Sequence, residues 1–214
     1  MFPPTKDEQI VNAALIIFLD ALTIHFGDFM FCNWTIHRKG FIANFTKASF
    51  EARTDGYLDD GEENAYALIE VKPATRSKTQ NLIQMQESAQ MVGWLINDSE
   101  ENNIGKIRIL ISQGRHEIFL TFAEYDDRYL AYLKNEPFQV KPSETGGSQN
   151  EASRHQMSAY QAPGTGASSF LTMHQYGPWN TQQRTDMARL GPILLAITLY
   201  AEGEIQAKKR SQRK

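Results

Sequence analysis

The sequence predicts an α/β protein, with a central mixed sheet flanked by helices. Three observations predict it. Segments with apolar residues at helical spacing alternate along the chain with segments whose period falls to two. The strand-like segments are short, rich in Ile, Val, Phe and Tyr, and several stop at Gly or Pro. The chain has 214 residues, 41 % apolar and 22 % charged, which suits one domain with decorations and a core that needs no metal or disulfide to hold it.

The elements follow in order. From Asp7 to Phe26, apolar positions Ile10, Ala13, Ala14, Ile17, Phe18, Ala21 and Leu22 predict a helix, with Thr5 before Asp7 and Glu8 as its start. Residues 31–45 read as a strand or hairpin broken at Lys39-Gly40. SFEARTDGYL, residues 49–58, reads as a second strand ended by Gly56. AYALIEVK, residues 65–72, is a third, stopped by Pro73, which has no N–H to give to a ladder. Helical spacing returns over residues 78–97 through Leu82, Met85, Ala89, Val92, Leu95 and Ile96. Strands at 105–112 and 116–125 flank the turn Gln113-Gly114-Arg115, and a short helix runs from Asp126 to Lys134. Residues 139–168 are rich in Ser, Gly, Pro and Gln and read as a flexible insert. A strand at 169–177 and a helix at 181–210 follow, with a kink or break at Gly191-Pro192. The expected organisation is a core at 1–138, the insert at 139–168, a strand and helix at 169–207 packing on the core, and a basic tail at 208–214.

Composition excludes several classes. The lone Cys32 makes no internal disulfide and no Cys-based zinc cluster, and reads as a small buried hydrophobe. His25, His37, His116, His155 and His174 show no His-x-x-x-His spacing, which speaks against zinc. PGTGASS lacks the Gly-Lys-Ser/Thr of a phosphate-binding loop. The N-terminus has no basic stretch leading into an apolar one, and the longest apolar runs fall well short of the roughly 20 residues of a membrane span. The expectation is an intracellular protein with no membrane partner. Net charge is −3, although five of the last seven residues, KKRSQRK, are basic. That tail resembles a nuclear-localisation or nucleic-acid patch, or serves only solubility. An acidic body meets nucleic acid through local contacts and metal ions rather than through its overall field.

One constellation carries chemistry. On the second strand Glu51, Arg53 and Asp55 fall on one face, and on the third Leu68, Glu70 and Lys72 do. If these strands pair, Asp55, Glu70 and Lys72 converge beside the carbonyl of Val71. Two carboxylates and a carbonyl are hard oxygen ligands, as Mg²⁺ or Mn²⁺ requires. Such an ion polarises a phosphodiester and lowers the pKa of bound water, and a nearby ammonium stabilises developing negative charge. The plainer alternatives are an Asp55-Gly56 turn, a solvated strand face for Glu70 and Lys72, and surface positions for Gln86 and Gln90.

TDGYLDD with Asp55, followed by IEVK with Glu70 and Lys72, resembles the signature of the PD-(D/E)XK nuclease superfamily. Together with MQESAQMVGW, it is similar to the nuclease-like domains of uncharacterised fungal proteins, over roughly Asp7 to Tyr125 and again at the final strand and helix. Gln90 and Trp94 are similar to the Gln-x-x-x-Tyr pattern of the RecB-like branch, with Trp in the Tyr position. The resemblance implies a restriction-endonuclease-like αβββαβ core. It implies Asp55, Glu70 and Val71 as ligands of Mg²⁺ or Mn²⁺, Lys72 positioning water, and Gln86 or Gln90 orienting Lys72 or substrate. It implies a further acid on the first helix, Glu8 or Asp20. Arg53, Arg76 and Lys78 are candidate contacts to nucleic acid, expected to be DNA rather than RNA. The expected function is that of a metal-dependent nuclease; the alternatives are a catalytically inactive nuclease-fold binding or regulatory module, and a plain α/β domain with an exposed charged strand.

Overall fold

A computed structural model describes residues 7–24, 26, 31–98, 107–137 and 170–212. Thr5 and the insert expected at 139–168 lie outside the described residues. Helix α1 spans Glu8–Thr23, and its N-cap is Asp7, whose side chain accepts from the Gln9 amide. The strands are β1 (Asn33–Thr35), β2 (Gly40–Asn44), β3 (Ser49–Arg53), β4 (Gly56–Asp59) and β5 (Ala65–Lys72). Then come α2 (Gln80–Asn97), β6 (Ile107–Gly114), β7 (Glu117–Glu124), α3 (Asp127–Lys134), β8 (Thr172–Asn180) and α4 (Arg184–Ser211).

Six strands form one mixed sheet in the order β1-β4-β5-β6-β7-β8, and β2 and β3 form a separate hairpin. Only β5 and β6 pair in parallel, with α2 as the crossover between them, while the other neighbours are antiparallel. Central β5 is buried from Ala65 to Val71, because both of its faces are covered. On one face Ile69, Val71, Ile109 and Ile111 pack with Leu15 and Leu19 of α1 and Leu194 and Ile197 of α4. On the other, Leu68 and Leu110 pack with Met91 and Trp94 of α2 and Phe41 of β2.

Several sequence expectations shift. SFEARTDGYL is not one strand: β3 pairs with β2, and after Thr54 and Asp55 the chain continues as β4, which pairs with β5. Residues 31–45 likewise divide between two sheets instead of forming a hairpin. Gly56 opens β4 rather than closing a turn. A Cβ there would sit 2.5 Å from the Thr35 carbonyl oxygen, so only glycine lets β1 lie alongside. The β6–β7 turn falls at Arg115-His116, with Arg115 at φ 55°. Asp126 caps α3 and the expected strand at 169–177 is β8, paired with β7. Helix α4 runs through Pro192, whose absent N–H leaves a carbonyl on the exposed side at Ala188. It also includes Lys208, Lys209 and Arg210, so most of the expected tail is the last turn, where cations meet the negative end of the helix dipole.

Candidate active site

The link between β3 and β4 and the end of β5 come together against the starts of α1 and α2. Asp55 N donates to Ile69 O at 2.9 Å, extending the β4–β5 ladder by one residue. The Asp55 side chain folds back so that Oδ2 accepts from Val71 N at 3.0 Å. Asn12 on α1 holds the same residue from the other side, its Nδ2 donating to Asp55 O at 2.7 Å. Asp55 therefore reaches the site through the β4–β5 ladder and not through the pairing of β3 with β5 that the sequence suggested. Glu51 and Arg53 do not accompany it: both are exposed and form an ion pair with each other at 2.7 Å.

Glu70 is 1 % exposed on the face that packs against α2. Its two oxygens have separate partners. Oε2 accepts from Gln90 Nε2 at 2.5 Å, and Oε1 accepts from Lys72 Nζ. Gln90 Nε2 also donates to Arg53 O at 2.8 Å, so one amide ties α2 to both β5 and the end of β3. Lys72 Nζ also donates to Val71 O at 3.1 Å and lies 3.9 Å from Glu8. Of the two first-helix acids, Glu8 and Asp20, only Glu8 lies near Lys72. Glu8 faces Lys72, whereas Asp20 is exposed on α1, about 18 Å further along the axis.

Arg38, in the loop between β1 and β2, was not legible as a site residue. Its guanidinium lies 3.2 Å from Asp55 Oδ1 and 3.6 Å from Glu8 Oε1, with 51 % of the side chain exposed. An arginine in a polar loop carries no local signal, since its partners are contributed by other elements. Asn12 was missed for a related reason: it sits within an apolar helix pattern.

Burial dominates the titration of Glu70 and Glu8. It pushes Glu70 up from 4.5 to about 7, with Lys72 opposing and Asp55 adding to the rise. Burial also raises Glu8, against the pull of Lys72 and with Asp55 reinforcing the rise.

The other expected site residues separate. Gln86 is half-buried one turn before Gln90, and no hydrogen bond joins it to Glu70 or Lys72. Arg76 does not face a nucleic-acid backbone. It is 5 % exposed, pairs with Glu87, donates to Ser112 Oγ at 2.5 Å and lies over the Phe119 ring at 4.3 Å. With the guanidinium turned inward to Glu87 and Ser112 and 6 % of the side chain exposed, Arg76 is not presented to a phosphate. Lys78 ends a short 3-10 turn, Arg76–Lys78, and its side chain lies outside the described residues.

The donor set has the character Mg²⁺ or Mn²⁺ favours: Asp55, Glu70, Glu8 and the Val71 carbonyl all offer hard oxygens. Buried acceptors without a hydrogen-bond partner also border the site, namely Asn12 Oδ1, Thr54 Oγ1 and Gln90 Oε1. Among the described residues, however, no three or more His, Cys, Asp or Glu side chains gather as a ready-made metal cage. Positive charge at the carboxylates comes from Lys72 and Arg38. Among the described residues no helix is long and apolar enough to cross a membrane. In comparisons with known proteins, no family model, no curated protein and no solved structure matches the chain.

Proposed function

We propose that the chain is a metal-dependent phosphodiesterase acting on nucleic acid, DNA rather than RNA, built on a restriction-endonuclease-like αβββαβ core. In support, α1, the antiparallel strands β1, β4 and β5, helix α2 and the parallel β6 follow one another along the chain, with the separate β2–β3 hairpin between β1 and β4. One observation carries the reading: Glu8 of α1, Asp55 of the β3–β4 link, Glu70 and Lys72 of β5 and Gln90 of α2 meet at the end of β5 through ion pairs and hydrogen bonds. Asp55, Glu70 and Val71 O would hold Mg²⁺ or Mn²⁺, with Glu8 as the further acid. Such an ion, when bound, polarises the phosphodiester and activates water.

The remaining roles belong to the chain. Lys72 Nζ, poised beside Glu70, Val71 O and Glu8, would orient the attacking water and stabilise the charge that develops on phosphate. Gln90 fixes the second oxygen of Glu70 and so sets the direction of the first. Arg38, half-exposed, and Arg53, largely exposed, are the candidate contacts to the nucleic-acid backbone.

The test is cleavage of single-stranded DNA, double-stranded DNA and RNA with Mg²⁺ or Mn²⁺, by wild type and Lys72→Ala. The expected result is metal-dependent cutting by wild type, reduced about 100-fold or more in the variant while calorimetric Mn²⁺ binding persists. No cutting of any substrate, together with no Mn²⁺ binding, would overturn the reading. A second reading, a nuclease-fold module that binds or regulates without cutting, is favoured by the Arg38–Asp55 and Lys72–Glu70 pairs, which already neutralise the carboxylates. Under that reading neither Mn²⁺ binding nor cutting is found.

A further inference from the structure

The carboxylates of the site are strung together by two cations of the chain. Arg38 bridges Asp55 Oδ1 at 3.2 Å and Glu8 Oε1 at 3.6 Å. Lys72 bridges Glu8 Oε2 at 3.9 Å and Glu70 Oε1. The two remaining oxygens accept from Val71 N, at Asp55 Oδ2, and from Gln90 Nε2, at Glu70 Oε2. Each of the six carboxylate oxygens therefore already faces a donor of the chain itself. For Asp55 or Glu8 to serve a divalent cation, a positive group on the same carboxylate has to give way, because the two like charges repel at such short range.

The two cations are held differently. Lys72 stands on central β5, with a quarter of its side chain exposed, and donates to Val71 O as well as to Glu70. Arg38 stands in the link between β1 and β2, half-exposed, and both of its ion pairs are to acids that a metal would claim. A pair so open to solvent is weak and exchanges readily. The backbone on either side is pinned: His37 N donates to Thr35 Oγ1 at 3.2 Å, and Lys39 O accepts from Thr54 N at 3.0 Å. Arg38 can thus change partner by rotating its side chain while the link stays in place. The partner that suits a departing guanidinium is a phosphate, whose oxygens match the planar fork with two parallel hydrogen bonds.

We infer that Arg38 couples metal binding to nucleic-acid binding by exchanging partners. In the free chain it covers Asp55 Oδ1 and Glu8 Oε1; with nucleic acid bound it turns to a backbone phosphate and releases those oxygens. The inference rests on reading the site as that of a metal-dependent phosphodiesterase. Coupling of this kind is reciprocal: nucleic acid tightens metal binding, and the metal tightens nucleic-acid binding by the same factor. The chain then takes up its ion together with its substrate rather than ahead of it. Arg53 provides the contrast. It is exposed and its ion pair is with Glu51, not with the three acids, so it can add affinity for the strand but no coupling.

The test is a binding cycle on the full chain. Ca²⁺ is titrated by calorimetry with and without a saturating short DNA oligonucleotide, single-stranded and duplex. The same DNA, carrying a fluorescent label, is titrated by anisotropy with and without Ca²⁺. Ca²⁺ is the probe because it takes the same hard oxygens and is the weaker Lewis acid, so the DNA is titrated uncut. In wild type each ligand is expected to tighten the other about tenfold. In Arg38→Ala that factor is expected to fall to about twofold, the direct attraction between ion and phosphate, with Ca²⁺ bound more tightly and DNA more weakly than in wild type. Arg53→Ala is expected to weaken DNA binding and keep the full factor. An equal factor in wild type and Arg38→Ala overturns the inference and leaves the phosphodiesterase reading standing. A wild type that fails to bind one or both ligands overturns that reading, and the inference with it.

Discussion

Burial sets the chemistry of Glu70 before any ligand does. Its folded pKa, about 7, lies above the ordinary 4.5, so between those values the folded chain holds a proton that the unfolded chain releases. The stabilising contribution is therefore fully present below about 4.5 and is lost as pH rises through about 7. A shift of that size corresponds to a few kcal/mol. Metal-free wild type is expected to lose urea resistance between about pH 5 and pH 7.5, and Glu70→Gln to lose most of that slope. Parallel slopes in the two proteins would refute the assignment to Glu70. Glu8 moves in the same direction and contributes the remainder.

Arg38 competes, at the same scale, for the oxygens a metal would use. Its side chain is half-exposed, so the pair with Asp55 is screened and worth at most about 1 kcal/mol. Arg38→Ala is expected to tighten Mn²⁺ binding about fivefold in a calorimetric titration. Unchanged or weaker binding would show that the guanidinium does not oppose the cation. The sequence displayed Asp55, Glu70, Lys72 and Gln90, because strand alternation and helical spacing fix local directions. It did not display Arg38 or Asn12, whose roles depend on partners at Asp55.

At the scale of the element, α2 departs most from its sequence pattern. The stripe Leu82, Met85, Ala89, Val92, Leu95 and Ile96 predicts one inward face; Leu95 is buried, yet Leu82 and Met85 are exposed at 67 % and 68 %, while Glu87 and Gln90 are buried. The helix is rotated because Glu87 and Gln90 have partners inside: Arg76 and Ser112 for one cluster, Glu70 for the other. Burying an acid is tolerable only beside a cation, and the bidentate Arg76–Glu87 contact supplies it. Glu87→Ala is expected to cost about 3–5 kcal/mol in denaturant unfolding, by leaving Arg76 buried and unpaired. The double change Arg76→Met with Glu87→Leu should recover most of that loss. A single variant as stable as wild type would show that the pair does not hold α2 in place. α1 is apolar nearly all round, and there too the buried side, Val11 and Leu15 rather than Ile10 and Ile17, follows a polar contact, Asn12 to Asp55.

Across the whole molecule, cooperativity should centre on the parallel pair. β5 and β6 lie in the middle of the sheet, and Leu68, Ile69, Leu110 and Ile111 are fully buried between the helices of the two faces. Their amides are expected to exchange only through global unfolding, while those of the three-residue edge strand β1 exchange faster by local opening. Comparable protection at both places, measured by hydrogen exchange, would mean that the edge is not a separate unit. This matters for the site, because Glu70 and Lys72 stand on the most rigid strand while Asp55 stands at the junction of two sheets.

The sequence by itself determined the alternation of helices and strands, the α/β class and the short list of acids, lysine and glutamine at the ends of two segments. Those features are local, written in periodicity and in the stops at glycine and proline. Tertiary structure alone decided which strands pair, which side of an evenly apolar helix turns inward, and which cations face the carboxylates. Each of those choices is an exchange of partners between distant segments. Gly56 yields to the Thr35 carbonyl, Glu87 to Arg76 and Asp55 to Val71 and Arg38, and none of these pairs is separated by a spacing that a single stretch of chain can record.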